Sequence, residues 1–124
     1  MECSLELEKL VFDEMQFVRI GFEHNDEMKM SLELNIGTND SDSLRKKVTI
    51  TFNGFKDDEY NIMVKASGYF KISSEADEEL IRNNAVAIIM PYIRSEISLL
   101  TAQPGMEPIV LPPMNIVEML KSAE

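Results

Sequence analysis

The sequence predicts an α+β fold in which antiparallel strands come first and helices follow. Three observations predict it. Apolar and polar residues alternate through most of the first 72 positions. The apolar period lengthens to that of a helix after Ile72. Strands and helices do not alternate, which argues against a doubly wound parallel sheet.

The first strand, within residues 5–20, is apolar on two sides. Leu10, Phe12, Val18 and Ile20 fall on one, and Val11, Met15 and Phe17 on the other. Such a strand wants cover on both sides, a helix on one and a second subunit on the other. The polar run His24-Asn25-Asp26-Glu27 separates it from a cleanly alternating strand over 28–36. There Met28, Met30, Leu32, Leu34 and Ile36 oppose Lys29, Ser31, Glu33 and Asn35. Asn39 to Ser43 reads as a loop by composition. Val48, Ile50 and Phe52 mark a third strand over 47–53, and Asn53-Gly54 through Glu59 reads as a hairpin connection. A fourth strand over 60–72 puts Tyr60, Ile62, Val64, Ala66, Phe70 and Ile72 on one face. Gly68 inside it suggests a bulge or close packing.

Ser74 with Asp77 resembles a capping box for a long helix. Its apolar stripe reads Leu80, Ile81, Asn84, Ala87, Ile88, Tyr92 and Leu99, and the helix extends to about Ala102. Pro91 predicts a kink near Ala87 to Pro91. Pro104-Gly105 ends the helix. Residues 106–113 are kept extended by the adjacent Pro112 and Pro113. Asn115, with Glu118 three residues on, caps a short last helix.

All of this fits one domain spanning the 124 residues. The net charge of −10 argues against nucleic acid and anionic membrane surfaces as partners, and permits basic or unfolded polypeptides. A single Cys3 rules out an internal disulfide and a cysteine zinc cluster. The acidic start lacks the features of a signal peptide, and the longest apolar run, Ala85 to Met90, is far too short to span a bilayer. The expectation is an intracellular, cytoplasmic protein.

Chemistry is hard to find. Asp40 and Asp42 begin a calcium-loop pattern that fails at Leu44 and lacks the required glycine. Asp57-Asp58-Glu59 reads as a solvated turn, and His24 as a surface residue without a nucleophile nearby. Glu2 beside Cys3 disfavours the thiolate. No glycine-rich phosphate loop occurs. The reading is therefore a non-enzyme with no catalytic residue, cofactor or metal.

The C-terminal third carries a distinctive run. Pro91, Tyr92, Arg94, Glu96, Gly105, Leu111, Pro113 and Asn115 stand in register with the pattern of the SecB family of export chaperones, which this chain resembles. Gly68-Tyr69-Phe70-Lys71-Ile72 resembles the end of that family's fourth strand. The resemblance implies a Greek-key-like four-stranded sheet with a long and a short helix on one face. It implies dimers and a dimer of dimers. It also implies ATP-independent binding of unfolded polypeptide, with delivery to the SecA motor in export-dedicated members.

Three departures bear on that last step. The link after the first strand is short and offers Phe22 alone among large apolar residues, and the chain has no Trp. The family's polar tail that contacts SecA is missing. Of the acidic sheet positions used for SecA, Glu14 can occupy one, while Val18 and Met63 stand at the others. These departures argue for a divergent member that serves a narrow client set or stabilises an antitoxin.

A holdase needs apolar area without fixed shape, and flexible, polarisable methionine suits that role. Nine methionines are present. Met28, Met30 and Met63 read as core or subunit interface. The candidate client groove combines Phe22, Met106, Ile109, Met114, Ile116, Met119 and Leu120. Val11, Glu14, Met15 and Phe17 are the candidate partner or subunit interface. Two function classes stay open: a general holdase, and an interaction module of the same fold dedicated to one partner such as an antitoxin.

Overall fold

The computed structural model describes residues 5–24, 27–74 and 77–111. Strands β1 (Leu5–Arg19), β2 (Lys29–Asn39), β3 (Asp42–Lys56) and β4 (Tyr60–Ile72) precede one helix, α1 (Glu78–Thr101). The strands lie in the order β1-β4-β3-β2, and every pairing is antiparallel. Three consecutive hairpin strands with β1 returned beside β4 make a Greek key. The link from β1 to β2 must therefore cross from one sheet edge to the other, past the turn between β3 and β4. Cys3 and the last helix expected around Asn115 to Glu118 lie outside the described residues.

One face of the sheet makes the core. Val48, Ile50 and Phe52 of β3 and the six apolar residues named on β4 are buried, and Leu32 of β2 joins them. α1 packs on this face. Gly68 marks its close approach: a Cβ there would stand 2.7 Å from the Phe70 ring and 3.0 Å from Ile89 Cδ1. Close packing, and not a bulge, explains that glycine.

The bulges are in β1. The register with β4 slips between Leu7 and Lys9 and again between Phe12 and Glu14. Each extra residue flips the side chains that follow to the opposite face. Leu5, Leu7, Leu10, Phe12, Met15 and Phe17 consequently all stand opposite the core-facing row of β4, from Ile72 to Ile62. This corrects the two-sided reading. Met15 and Phe17 share the helix side with Leu10 and Phe12, while Val11, Glu14 and Val18 face away.

Other boundaries also differ from expectation. Asn39 to Ser43 is not a five-residue loop: the strands run to Asn39 and from Asp42, joined by Asp40 and Ser41. The Asn39 side chain accepts from Ser41 N–H at 2.8 Å, which stabilises this tight turn without glycine. Asn53-Gly54 lies inside β3, whose partner pairing continues to Lys56, so the turn is only Asp57 to Glu59.

The helix begins at Glu78, capped by Asp77, whose carboxylate accepts from Leu80 N–H at 2.8 Å. Ser74 is therefore not the cap. Glu78 and Glu79 in the first turn suit the positive end of the helix dipole. The buried face is Ile81, Ala85, Ile89, Ile93, Ile97 and Thr101, with Val86 and Met90 beside it. Most of the expected stripe instead points outward: Leu80 is 41% exposed, Tyr92 47% and Leu99 64%. The helix continues through Pro91 as one element. Among the described residues, no helix is long and apolar enough to cross a membrane.

Candidate functional site

Three segments meet at one end of the sheet: the link after β1, the turn between β3 and β4, and the chain after α1. The turn is built around Asp58, which adopts the left-handed conformation at φ 59°. Its geometry aims two carbonyls at the link. Ile20 and Gly21 N–H donate to the Glu59 carbonyl at 2.9 and 3.1 Å, and Glu23 N–H donates to the Asp58 carbonyl at 3.3 Å. Phe22 sits between these anchors with its side chain 91% exposed. An exposed aromatic on a fixed backbone loses little freedom when a ligand covers it.

Arg19 ties this loop to the chain after the helix. Its guanidinium donates to the Gly21 carbonyl at 3.1 Å and contacts Met106 Sδ at 3.3 Å. It also stands 5.4 Å from the Phe22 ring centroid and 5.9 Å from that of Phe17. Phe17 packs in turn on Tyr60, with ring centroids 4.9 Å apart. Burial, with a smaller contribution from Glu59, pushes the Tyr60 hydroxyl up to about 12. Lys29 is held by Asp57 at 2.9 Å, and that ion pair raises its pKa.

The segment after α1 is latched rather than loose. Ile109 N–H donates to Thr101 Oγ1 at 2.8 Å, and Ser98 Oγ donates to the Ile109 carbonyl at 2.6 Å. Two hydroxyls in the last helical turns thereby satisfy both backbone groups of a residue between prolines. Thr101 is fully buried, and its own hydroxyl donates back to the Ile97 carbonyl at 2.9 Å. Met106 is placed by a turn closed from Met106 N–H to the Gln103 carbonyl at 3.1 Å, with Gly105 at φ 79°.

Two adjoining hollows result. One, of about 510 Å³, lies among Tyr60, Lys56, Met106, Pro108 and Ile109. The other, of about 490 Å³, lies among Ile20, Phe22, Glu23 and Asp58. His24 lines both. Met106 and Ile109 thus line the first hollow and Phe22 the second. Met114, Ile116, Met119 and Leu120 lie outside the described residues. Val11 and Glu14 are not near this cleft; they lie on the uncovered sheet face, and Met15 and Phe17 on the other side of β1.

Sequence reasoning passed over Arg19, Gly21, Asp58, Ser98 and Thr101. Asp58 in an acidic turn and Ser98 with Thr101 three residues apart were visible signals, but neither says which carbonyl or amide is met. Among the described residues, no group of three or more His, Cys, Asp or Glu could hold a metal ion.

No protein-family model matches the chain. It is 28% identical to an uncharacterized protein of Methanocaldococcus jannaschii, over 99% of this chain and 86% of that protein. In structure it is similar to a SecB-like chaperone of Mycobacterium tuberculosis, solved in complex with a peptide from the HigA1 antitoxin. That likeness has a TM-score of 0.75 at 14% identity and covers 90% of each chain. A protein of unknown function from Streptococcus agalactiae is also similar, with a TM-score of 0.58 at 11% identity, over 91% of this chain and all of that one. The fold is therefore SecB-like.

Proposed function

We propose that this chain is a cytoplasmic, ATP-independent polypeptide-binding protein that holds nonnative segments in the cleft beside Phe22. One observation carries the reading: Phe22 is 91% exposed while its backbone neighbours are hydrogen-bonded on both sides. Leaving a large aromatic in water forgoes about 1.5–3 kcal/mol of burial, which a bound segment can recover. Met106 and Ile109 supply adaptable apolar area next to it, and an unfolded chain offers complementary side chains without a fixed shape. Met114, Ile116, Met119 and Leu120 belong to the same proposed surface.

A second reading has a specific observation in its favour. The SecB-like chaperone of M. tuberculosis was solved with an antitoxin peptide. On that reading the same cleft serves one dedicated partner.

The chain is also proposed to work as a dimer or dimer of dimers. Leu80, Tyr92 and Leu99 are exposed on the outer side of α1, and β1 is an outermost strand with Val11 and Glu14 on the uncovered sheet face and Met15 and Phe17 on the helix side.

Light scattering of two unrelated, chemically unfolded proteins diluted into this protein tests the function. Suppression of both, lost in a folded Phe22→Asp variant, supports the holdase. No suppression by a folded parent overturns it and leaves the dedicated-partner reading. Suppression that survives Phe22→Asp removes the cleft from the account.

A further inference from the structure

The uncovered face of the sheet is charged along most of its length. Across β1, β4 and β3, one row is Lys9, Tyr69 and Lys47, and another is Glu14, Lys65 and Thr51. The end nearest the Phe22 cleft differs. Its last row is Val18, Asn61 and Phe55, and the row before it is Gln16, Met63 and Asn53. None of these six carries a charge, in a chain whose net charge is −10. Val18 is 48% exposed and Phe55 41%. They flank Asn61 from either side, so their backbones stand roughly 10 Å apart, two strand spacings. Met63 is diagonal to both, within reach of long side chains. The amides of Asn53 and Asn61 add a polar feature. Both residues are half-buried, and among the described residues neither side chain makes a hydrogen bond. Their amide atoms are not sealed from solvent. A side-chain amide offers donors and an acceptor, which match the C=O and N–H groups of an extended main chain.

This patch is continuous with the cleft. The Ile20 N–H donates to the Glu59 carbonyl, which extends the pairing of β1 with β4 one residue beyond Arg19. Side chains alternate along a strand, so the exposed Ile20 follows Val18 on the uncovered face. Ile20 also lines the hollow that Phe22 lines. An apolar path therefore runs from Phe22 over Ile20 and Val18 to Phe55, round the end of the sheet. A second copy of the chain is a poor occupant. Three partly exposed side chains fall far short of the roughly 800 Å² per partner that a stable interface buries. Two subunits of charge −10 also repel each other across a face so thinly apolar.

We propose that one polypeptide client occupies both places, leaving the Phe22 cleft over Ile20 and lying extended across the uncovered face at Val18, Asn61 and Phe55. This inference rests on the cleft being a client site. Val18, Met63 and Phe55 take apolar side chains of the client, and the Asn53 and Asn61 amides take its main chain. Because the patch is uncharged, it is indifferent to the charge of the segment it holds. The path from Phe22 to Phe55 is roughly 23 Å, counting four residues at 3.3 Å and two strand spacings. That is about seven extended residues, so a short segment fills the cleft alone and a longer one reaches both sites. The first contact then raises the effective concentration of the second segment at the patch.

The test is fluorescence anisotropy with two labelled probes. One is a nine-residue peptide in which Phe and Leu are spaced by Ser, Gly and Asn, and the other carries three tandem copies of it. The parent protein is compared with Val18→Ser, Phe55→Ser and Phe22→Ser, each checked by circular dichroism. Val18 and Phe55 lie on different strands, so if one variant fails to fold the other still decides. The parent is expected to bind the long probe about thirtyfold more tightly than the short one, beyond the roughly threefold that counting copies gives. Val18→Ser and Phe55→Ser should each weaken the long probe about fivefold or more and leave the short one unchanged, while Phe22→Ser weakens both. A long-probe advantage no greater than about threefold overturns the proposal. So does a long-probe affinity that Phe22→Ser lowers and neither Val18→Ser nor Phe55→Ser does. Both outcomes leave the cleft reading standing. Binding of both probes that Phe22→Ser leaves unchanged overturns the cleft reading and this path with it. A Phe55→Ser variant whose mass by light scattering falls below the parent's assigns the patch to a second copy and overturns the proposal too.

Discussion

Gly21 and Asp58 meet so closely that a Cβ on Gly21 would stand 2.5 Å from the Asp58 carbonyl oxygen. That oxygen also accepts the Glu23 N–H at 3.3 Å, so one carbonyl both limits and anchors the link after β1. The left-handed φ of Asp58, 59°, aims it there.

Gly21→Ala is therefore expected to push the link off the turn while leaving the distant core of β3, β4 and α1 intact. Phe22 would lose its backbone support without being changed itself. Client affinity should fall about as far as in Phe22→Ser, roughly tenfold, if burying the ring is worth about 1.5 kcal/mol. Isothermal titration with one unfolded client measures both. Parent-like affinity in Gly21→Ala would show that the backbone clasp does not matter to binding.

The Thr101 hydroxyl serves Ile109 on one side and the Ile97 carbonyl on the other. Thr101→Val keeps the shape and removes the acceptor, leaving the Ile109 amide without its partner. A lost hydrogen bond at a buried site costs about 1–2 kcal/mol. Denaturant unfolding should show that loss, and hydrogen exchange of the Ile109 amide should accelerate. Unchanged exchange at Ile109 would mean that the amide is protected by something other than this hydroxyl.

Much of the fold was legible because one-sided alternation carries direct information about burial. Val48, Ile50, Phe52 and the β4 row needed nothing beyond their spacing. β1 was not legible, since a bulge at Asp13 reverses every later side chain and leaves no mark in the local pattern. The helix failed for a related reason. Ala85 to Met90 is apolar without interruption, so periodicity cannot choose which stripe meets the sheet. Leu80, Tyr92 and Leu99 share an apolar stripe with Ile81 in the sequence, yet they lie outward. At the cleft, Phe22, Met106 and Ile109 were identifiable as apolar residues in irregular segments. The contacts that place them are backbone carbonyls of Asp58 and Glu59, which residue identity does not reveal.

The outward stripe of α1 leads to a third prediction. Leu99 is 64% exposed and Tyr92 47%, in a helix whose opposite side already fills the core. Tyr92→Asp with Leu99→Asp should leave Tm within a few degrees if these residues cover no part of the monomer. The same pair should lower the mass in solution from an oligomer to a single chain of 14.1 kDa by light scattering. A parent that is already monomeric at micromolar concentration, or a variant that keeps the parent's mass, removes α1 as the subunit contact.

The fourth prediction concerns alkaline stability and follows from Tyr60. The residue is buried against Phe17, and burial, helped by Glu59, raises its hydroxyl from 10.0 to about 12. Below pH 10 the folded and unfolded chains both keep that proton, and the stabilising contribution is fully present. Between pH 10 and about 12 the unfolded chain releases the proton while the folded chain retains it. The unfolded state then binds fewer protons, so stability falls as pH rises across this interval. Tyr60→Phe keeps the ring, its packing on Phe17 and the Lys56 ammonium 5.6 Å from its centroid, but has no proton to lose. The parent's unfolding midpoint in urea should decline more steeply than the variant's over that window, and the ultraviolet titration of the variant should lack the highest-pH tyrosinate phase. Parallel declines in the two proteins would show that Tyr60 ionises as readily folded as unfolded, and that the Phe17–Tyr60 contact leaves the hydroxyl in water.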